Sequence, residues 1–199
     1  MLGDRSFVGF ALVQAFGFDA IFTYVSASSF VVQDQYGLTG IAYSLVFAAG
    51  ALGLVLGGNL NGKLVGTLGE HRLLRVGLAV LIASTTALAI LAVTLRFPPL
   101  AVLASIIVLA SACGSPILAN ASTIALGRHG GATADIAAAL IGAVQFRLAD
   151  PISPLAWLTG EASVTSMAVT MLGSALCAGV AYFIFCRTTC TEESEGVAQ

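Results

Sequence analysis

Three ionisable residues, Asp19, Arg147 and Asp150, fall inside long apolar stretches of the chain. A charge at the centre of a membrane-spanning helix costs about 2.5–3.5 kcal/mol on insertion scales, so such groups are expected to carry a function or to have a specific partner. Asp19 lies near the middle of its stretch, and two readings stay open for it. It contacts a substrate or proton, or it is a carboxyl kept neutral or hydrogen-bonded by a neighbouring helix. Arg147 and Asp150 are three residues apart and can share one side of a helix. Pro151 follows, offers no amide to the carbonyl of Arg147 and disfavours helical geometry at Asp150. The expectation is a kink at membrane depth bearing an Arg–Asp pair, either facing a central cavity or closing the helix against its neighbours. Asp135 opens its stretch, where a carboxylate suits the orphan amides and the helix dipole. Among uncharged groups, Asn120 stands between Ser115 and Thr123 in a stretch that Pro116 should bend, and Gln145 lies two residues before Arg147. Amides in a bundle interior either bond a ligand or bridge helices. Tyr24 and Phe22 pack a lipophilic substrate or simply their neighbours.

Enzyme chemistry fares badly against this inventory. No HExxH motif offers a zinc site and no GxSxG motif offers a serine nucleophile. The surroundings of Asp19 and Asp150 lack the glycine-flanked signature of aspartyl intramembrane proteases, and Gly57-Gly58 sits within an apolar run rather than after a strand. His71 and His129 fall in expected loops among basic residues. Cys113, Cys177, Cys186 and Cys190 form no CxxC pair, so neither a disulfide framework nor a metal site is expected, and the four are read as structural. No cofactor is expected.

The elements that must position these residues follow from composition. Of 199 residues, 58% are apolar and 9% charged, with a mean hydropathy of +0.98. A soluble domain carries about a quarter charged residues, which excludes a water-soluble globule, a disordered chain and a nucleic-acid binder. A bilayer core needs about 20 apolar residues per helix, and six stretches supply them, at 7–32, 39–61, 73–95, 100–126, 135–159 and 164–186. The connections, 33–38, 62–72, 96–99, 127–134 and 160–163, are brief. The expected organisation is an N-terminal stub over 1–6, an all-α bundle of six transmembrane helices over 7–186 and a tail over 187–199. Six spans put both termini on one side. That side holds Arg5, Lys63, Arg72, Arg75, Arg128 and Arg187, against Arg96 on the other, so the positive-inside rule places both termini in the cytoplasm. Gly53 and Gly57 form a GxxxG pattern, expected to pack one helix of the chain on another.

Read together, the loops and helix faces resemble a known family. Tyr24-Val25-Ser26-Ala27-Ser28-Ser29-Phe30-Val31, Gln33, Tyr36-Gly37-Leu38-Thr39, Asn61-Gly62-Lys63-Leu64 and Leu68-Gly69-Glu70-His71-Arg72-Leu73-Leu74-Arg75-Val76-Gly77 are similar to helices seven and eight and the following loop of drug-efflux transporters of the major facilitator superfamily. The branch is that of bicyclomycin and chloramphenicol resistance (Bcr/CflA). Ala119-Asn120-Ala121, the run Ala137 to Phe146, and Ser153-Pro154-Leu155 resemble its tenth and eleventh helices. Asp135, Arg147 and Asp150 depart from the small residues usual there, and Ser29 from a proline. The resemblance implies the second half of a twelve-helix transporter, built from two inverted-topology three-helix repeats. It also implies proton-driven export of small amphipathic, drug-like molecules across the inner cell membrane, against an N-terminal six-helix half in the lipid bilayer. Met1 then falls where the loop joining the halves would end. Asn120 and Gln145 would line the cavity, with Asp19, Tyr24, Arg147 and Asp150 along the substrate and proton pathway. The other class of reading is a six-helix membrane protein that does not transport, a truncated remnant or an assembly partner.

Overall fold

The computed structural model describes residues 4–95, 97–127, 132–152 and 163–186, and these fold into six helices. Helix α1 spans Arg5–Phe30 and runs on through a π-helical turn, Val31–Gln35. Helices α2 (Gly40–Leu68), α3 (Glu70–Thr94), α4 (Leu100–Gly127) and α5 (Ala132–Ile152) follow. The last, α6 (Val164–Ala181), ends in a second π-helical turn, Tyr182–Cys186. Five of the six, α5 being the exception, are long and apolar enough to cross a membrane. Asp135, Arg147 and Asp150 all lie on α5, and they make it the most charge-laden of the apolar stretches. The expected span 135–159 is thus helical from Ala132 to Ile152, and its remainder lies outside the described residues.

Local signals start the helices. The Asp4 carboxylate caps α1 by accepting from the Ser6 amide at 2.9 Å, Thr39 caps α2, and Ser163 forms a reciprocal capping box with Ser166 on α6. The expected loop 62–72 is not a loop. Helix α2 continues to Leu68 and α3 begins at Glu70, leaving Gly69 at φ +77° as the break. Lys63 marks where apolar character fades, but the helix runs on through Gly62 and Gly66, and only Gly69 takes the positive φ that suits glycine alone. His71, expected in a solvated loop, is therefore in the first turn of α3, with its ring edge-to-face against Phe10 at 5.8 Å. The loop expected over 33–38 likewise begins as helix, since α1 winds on to Gln35. Asp135 falls in the first turn of α5, three residues after the start at Ala132 rather than at the helix opening.

Apart from α3 and α4, sequence neighbours are not the main packing partners. Helix α4 packs against α1, α2 and α3, and α1 against α4, α5 and α6, while α3 also meets α6. Phe10, Leu74, Leu81, Leu88, Ile107, Ile117 and Met171 fill the centre. Since lipid is as apolar as leucine, such helices associate through close packing of small residues and through interhelical hydrogen bonds. The α2–α4 seam shows both. The buried residues of α2 are Gly50, Gly53, Gly57 and Asn61, a single stripe. A Cβ at Gly53 would lie 2.5 Å from the Val108 carbonyl oxygen, and one at Gly57 would collide with that of Ala112. Pro116 cannot donate to the Ala112 carbonyl four residues earlier, so the glycine backbone covers the oxygen that the proline leaves free. At the end expected to be exoplasmic, the Tyr36 hydroxyl donates to the Pro98 carbonyl at 2.6 Å. Burial raises the phenol above its ordinary titration range. The Val164 amide donates to Gln35 at 2.8 Å, tying α6 to the end of α1.

Candidate functional site

The polar groups inside the bundle fall into three places. In the first, Gln14 on α1 joins α4 to α5: its Nε2 donates to Gln145 Oε1 at 3.0 Å, and its Oε1 accepts from the Ser122 hydroxyl at 2.5 Å. Gln14 is buried and Gln145 half-buried. Next along α5, Phe146 is 61% exposed and Arg147 is exposed. Phe146 meets Phe18 edge-on at 5.5 Å, and Phe18 stacks on Phe22, giving an aromatic ledge beside the amide relay. Asp150 and Pro151 lie in the last turn of α5, which stays helical through both, and the Asp150 side chain lies outside the described residues. The expected kink thus falls at the end of the described part of α5.

The second place continues the α2–α4 seam. Asn120 Nδ2 donates to Asn61 Oδ1 at 2.7 Å and to the Pro116 carbonyl at 2.7 Å. One turn away along α4, the Ser115 hydroxyl donates to the Leu54 carbonyl at 2.8 Å. Asn120 is thus buried and spends its amide hydrogens on helix packing. Tyr24 is also buried, its hydroxyl donating to the Val46 carbonyl at 3.4 Å and its ring stacked with Phe47.

Asp19 occupies the third place, the α1–α6 seam, fully buried and accepting from the Ser174 hydroxyl of α6. It is the one buried acidic or basic side chain among the described residues. The predicted residues are therefore not one cluster: Gln145 and Arg147 share α5, Asn120 and Tyr24 face α2 from different helices, and Asp19 turns toward α6. The partners Gln14, Ser122, Asn61 and Ser174 are absent from the predicted set. Gln14 and Asn61 carried a signal, an amide in or at the border of an apolar run, but the serines did not. Apart from these places, a groove of about 460 Å³ between α3 and α6 is lined by Leu78, Ala79, Ile82, Gly179 and Tyr182, with Arg75 at its rim.

Hydrogen-bonded polar groups held between long apolar helices are the build of an integral membrane protein. Over 183 residues, 92% of its length, the chain is 32% identical to an uncharacterized MFS-type transporter, YdgK, of Bacillus subtilis (strain 168). The similarity is thus to part of a protein described as a major facilitator transporter. The chain spans 44% of that relative's length. No family model matches the chain, and no solved structure matches it.

Proposed function

We propose that the chain is the second half of a proton-coupled major facilitator transporter that exports small amphipathic, drug-like compounds by alternating access, working against an N-terminal six-helix half. The observation that carries this reading is the alignment of nearly the whole chain with less than half of an MFS-type transporter. Helix pairing supports the inverted repeat. Exchanging α1 with α4, α2 with α5 and α3 with α6 turns the α2–α4 pair into α5–α1 and the α3–α4 pair into α6–α1, and leaves α1–α4 and α3–α6 as they are; each is a major contact of the fold. The exposed Phe146 and Arg147 are the reading's substrate contacts, Gln145 links them to Gln14 of α1, and Asp150 belongs to the same proposed pathway. Asn120, Tyr24 and Asp19 hold the helices behind these contacts. Arg5, Lys63, Arg72 and Arg75 stand at the start of α1, the end of α2 and the start of α3, which supports cytoplasmic termini in the inner membrane.

The test is drug susceptibility and proton-linked efflux in cells expressing the chain with and without a six-helix N-terminal half. Efflux restored only by the pair is expected, reduced by Arg147→Gln and Asp150→Asn. Reporters fused after Gly130 and after Glu161 should read cytoplasmic and exoplasmic respectively. No efflux even from the pair would favour a non-transporting membrane protein.

A further inference from the structure

The α1–α6 seam holds oxygen atoms that hydrogen bonding leaves unsatisfied. Asp19, Thr23 and Ser174 are 0%, 1% and 4% exposed. Asp19 Oδ1 and Thr23 Oγ1 have no hydrogen-bond partner, although the two residues are one turn apart on the same face of α1. The hydroxyl could donate to the carboxylate, yet they are not bonded to each other. The other carboxylate oxygen meets Ser174 Oγ, which also lies 3.1 Å from the Thr170 carbonyl. One hydroxyl hydrogen cannot serve both acceptors. The shorter contact is to the carboxylate, so the hydroxyl donates there and its lone pairs stay open beside Asp19. What stays unmet is Asp19 Oδ1, whose negative charge calls for a positive charge beside it.

No described side chain supplies that charge. Among the described residues Arg5, Lys63, Arg72, Arg75 and Arg147 are all exposed, and His71 packs on Phe10. Buried polar atoms without partners are rare in folded proteins, and an ion is one recognised reason for them. A buried unpaired carboxylate carries a large desolvation cost. The donors are hard oxygens, two from Asp19 and one each from Thr23 and Ser174, a set that suits alkali and alkaline-earth ions and not soft metals. A single carboxylate is neutralised by one positive charge, and a divalent ion would leave a net charge in the same apolar seam. We propose that Asp19, Thr23 and Ser174 form an intramembrane site for a sodium ion that ties α1 to α6.

The site does not rest on the transport reading, because binding is read directly and a chain that moves no drug should still hold sodium. The 199-residue chain, purified in detergent, is melted in sodium, potassium and choline chloride at equal ionic strength, and ²²Na⁺ binding is measured alongside. Expected are a saturable, sodium-specific rise in Tm of several degrees and ²²Na⁺ binding that Asp19→Asn abolishes. Thr23→Val and Ser174→Ala keep the charge and should weaken binding about tenfold or more, the scale of altering a metal site's support; they carry the test if Asp19→Asn does not fold. Coincident melts in the three salts would overturn the proposal, as would sodium binding that survives Asp19→Asn or is unchanged in both other variants. A rise in Tm on acidification with no sodium dependence would assign a proton to the site and overturn it equally.

Discussion

Asn61 and Asn120 illustrate how much a single polar pair is worth where no water competes. Both are buried, and the 2.7 Å bond between them joins α2 to α4. Removing one partner of a buried bond strands the other, at a cost of about 1–3 kcal/mol. The interaction itself is smaller, averaging about 0.6 and reaching about 1.7 kcal/mol in membrane proteins, because the unfolded helices also find partners in the bilayer. Asn120→Ala should therefore destabilise the chain, and Asn61→Ala should do so less, since the Asn120 amide keeps its bond to the Pro116 carbonyl. The double variant should lose less than the sum of the two. Unfolding of the four proteins in mixed micelles measures the coupling, and strict additivity would show that the pair does not interact across the seam. Asn120 was legible in the sequence as an amide within an apolar stretch. Its partner was not, because Asn61 stands at the border of a span, where an amide also reads as the entry to a loop.

Helix boundaries and helix adjacency follow different rules, and only part of each is written in the order of residues. The apolar stretches located the helices because a bilayer fixes their length. They misplaced the junction at 62–72 because polarity reports where a chain leaves lipid, whereas a helix ends where its backbone does, here at Gly69. Adjacency was less legible still. The principal partners of α1 are α4, α5 and α6, so Ser174, 155 residues from Asp19 in sequence, could not be read as its partner. The Gly53–Gly57 pattern was readable as a packing surface but did not name α4 as the helix it meets. That contact yields a contrast within one helix. Gly57→Ala would press a methyl group into the Ala112 carbonyl, a backbone atom that cannot swing aside, and should cost about 1–3 kcal/mol, the range for overpacking. Gly62→Ala meets nothing within 4 Å and should be neutral or gain up to about 1 kcal/mol of helix propensity. Thermal melting of the two variants decides the matter: equal stability would mean that α2 and α4 do not approach as closely as their glycines allow.

At the scale of the whole molecule, exposed apolar surface is weak support for a missing half. Leu45, Leu52, Val55 and Leu56 of α2 are more than half exposed, but lipid covers such side chains at no cost, so they require no protein partner. Arg147 is different. An arginine facing hydrocarbon near mid-membrane costs about 2.5–3.5 kcal/mol even on the lenient insertion scale, whereas one facing a water-filled cleft does not. Ala143 is exposed and lies one turn before Arg147 on the same face of α5, so it reports what that face meets without disturbing the charge. With the four native cysteines replaced by serine or alanine, Ala143→Cys should react with a membrane-impermeant maleimide in membranes holding this chain alone. Expression of a six-helix N-terminal half should slow the labelling severalfold, because the cleft between halves then opens to one side at a time. A cysteine that stays unlabelled under both conditions would put this face of α5 in lipid, and Arg147 could not then line a transport pathway.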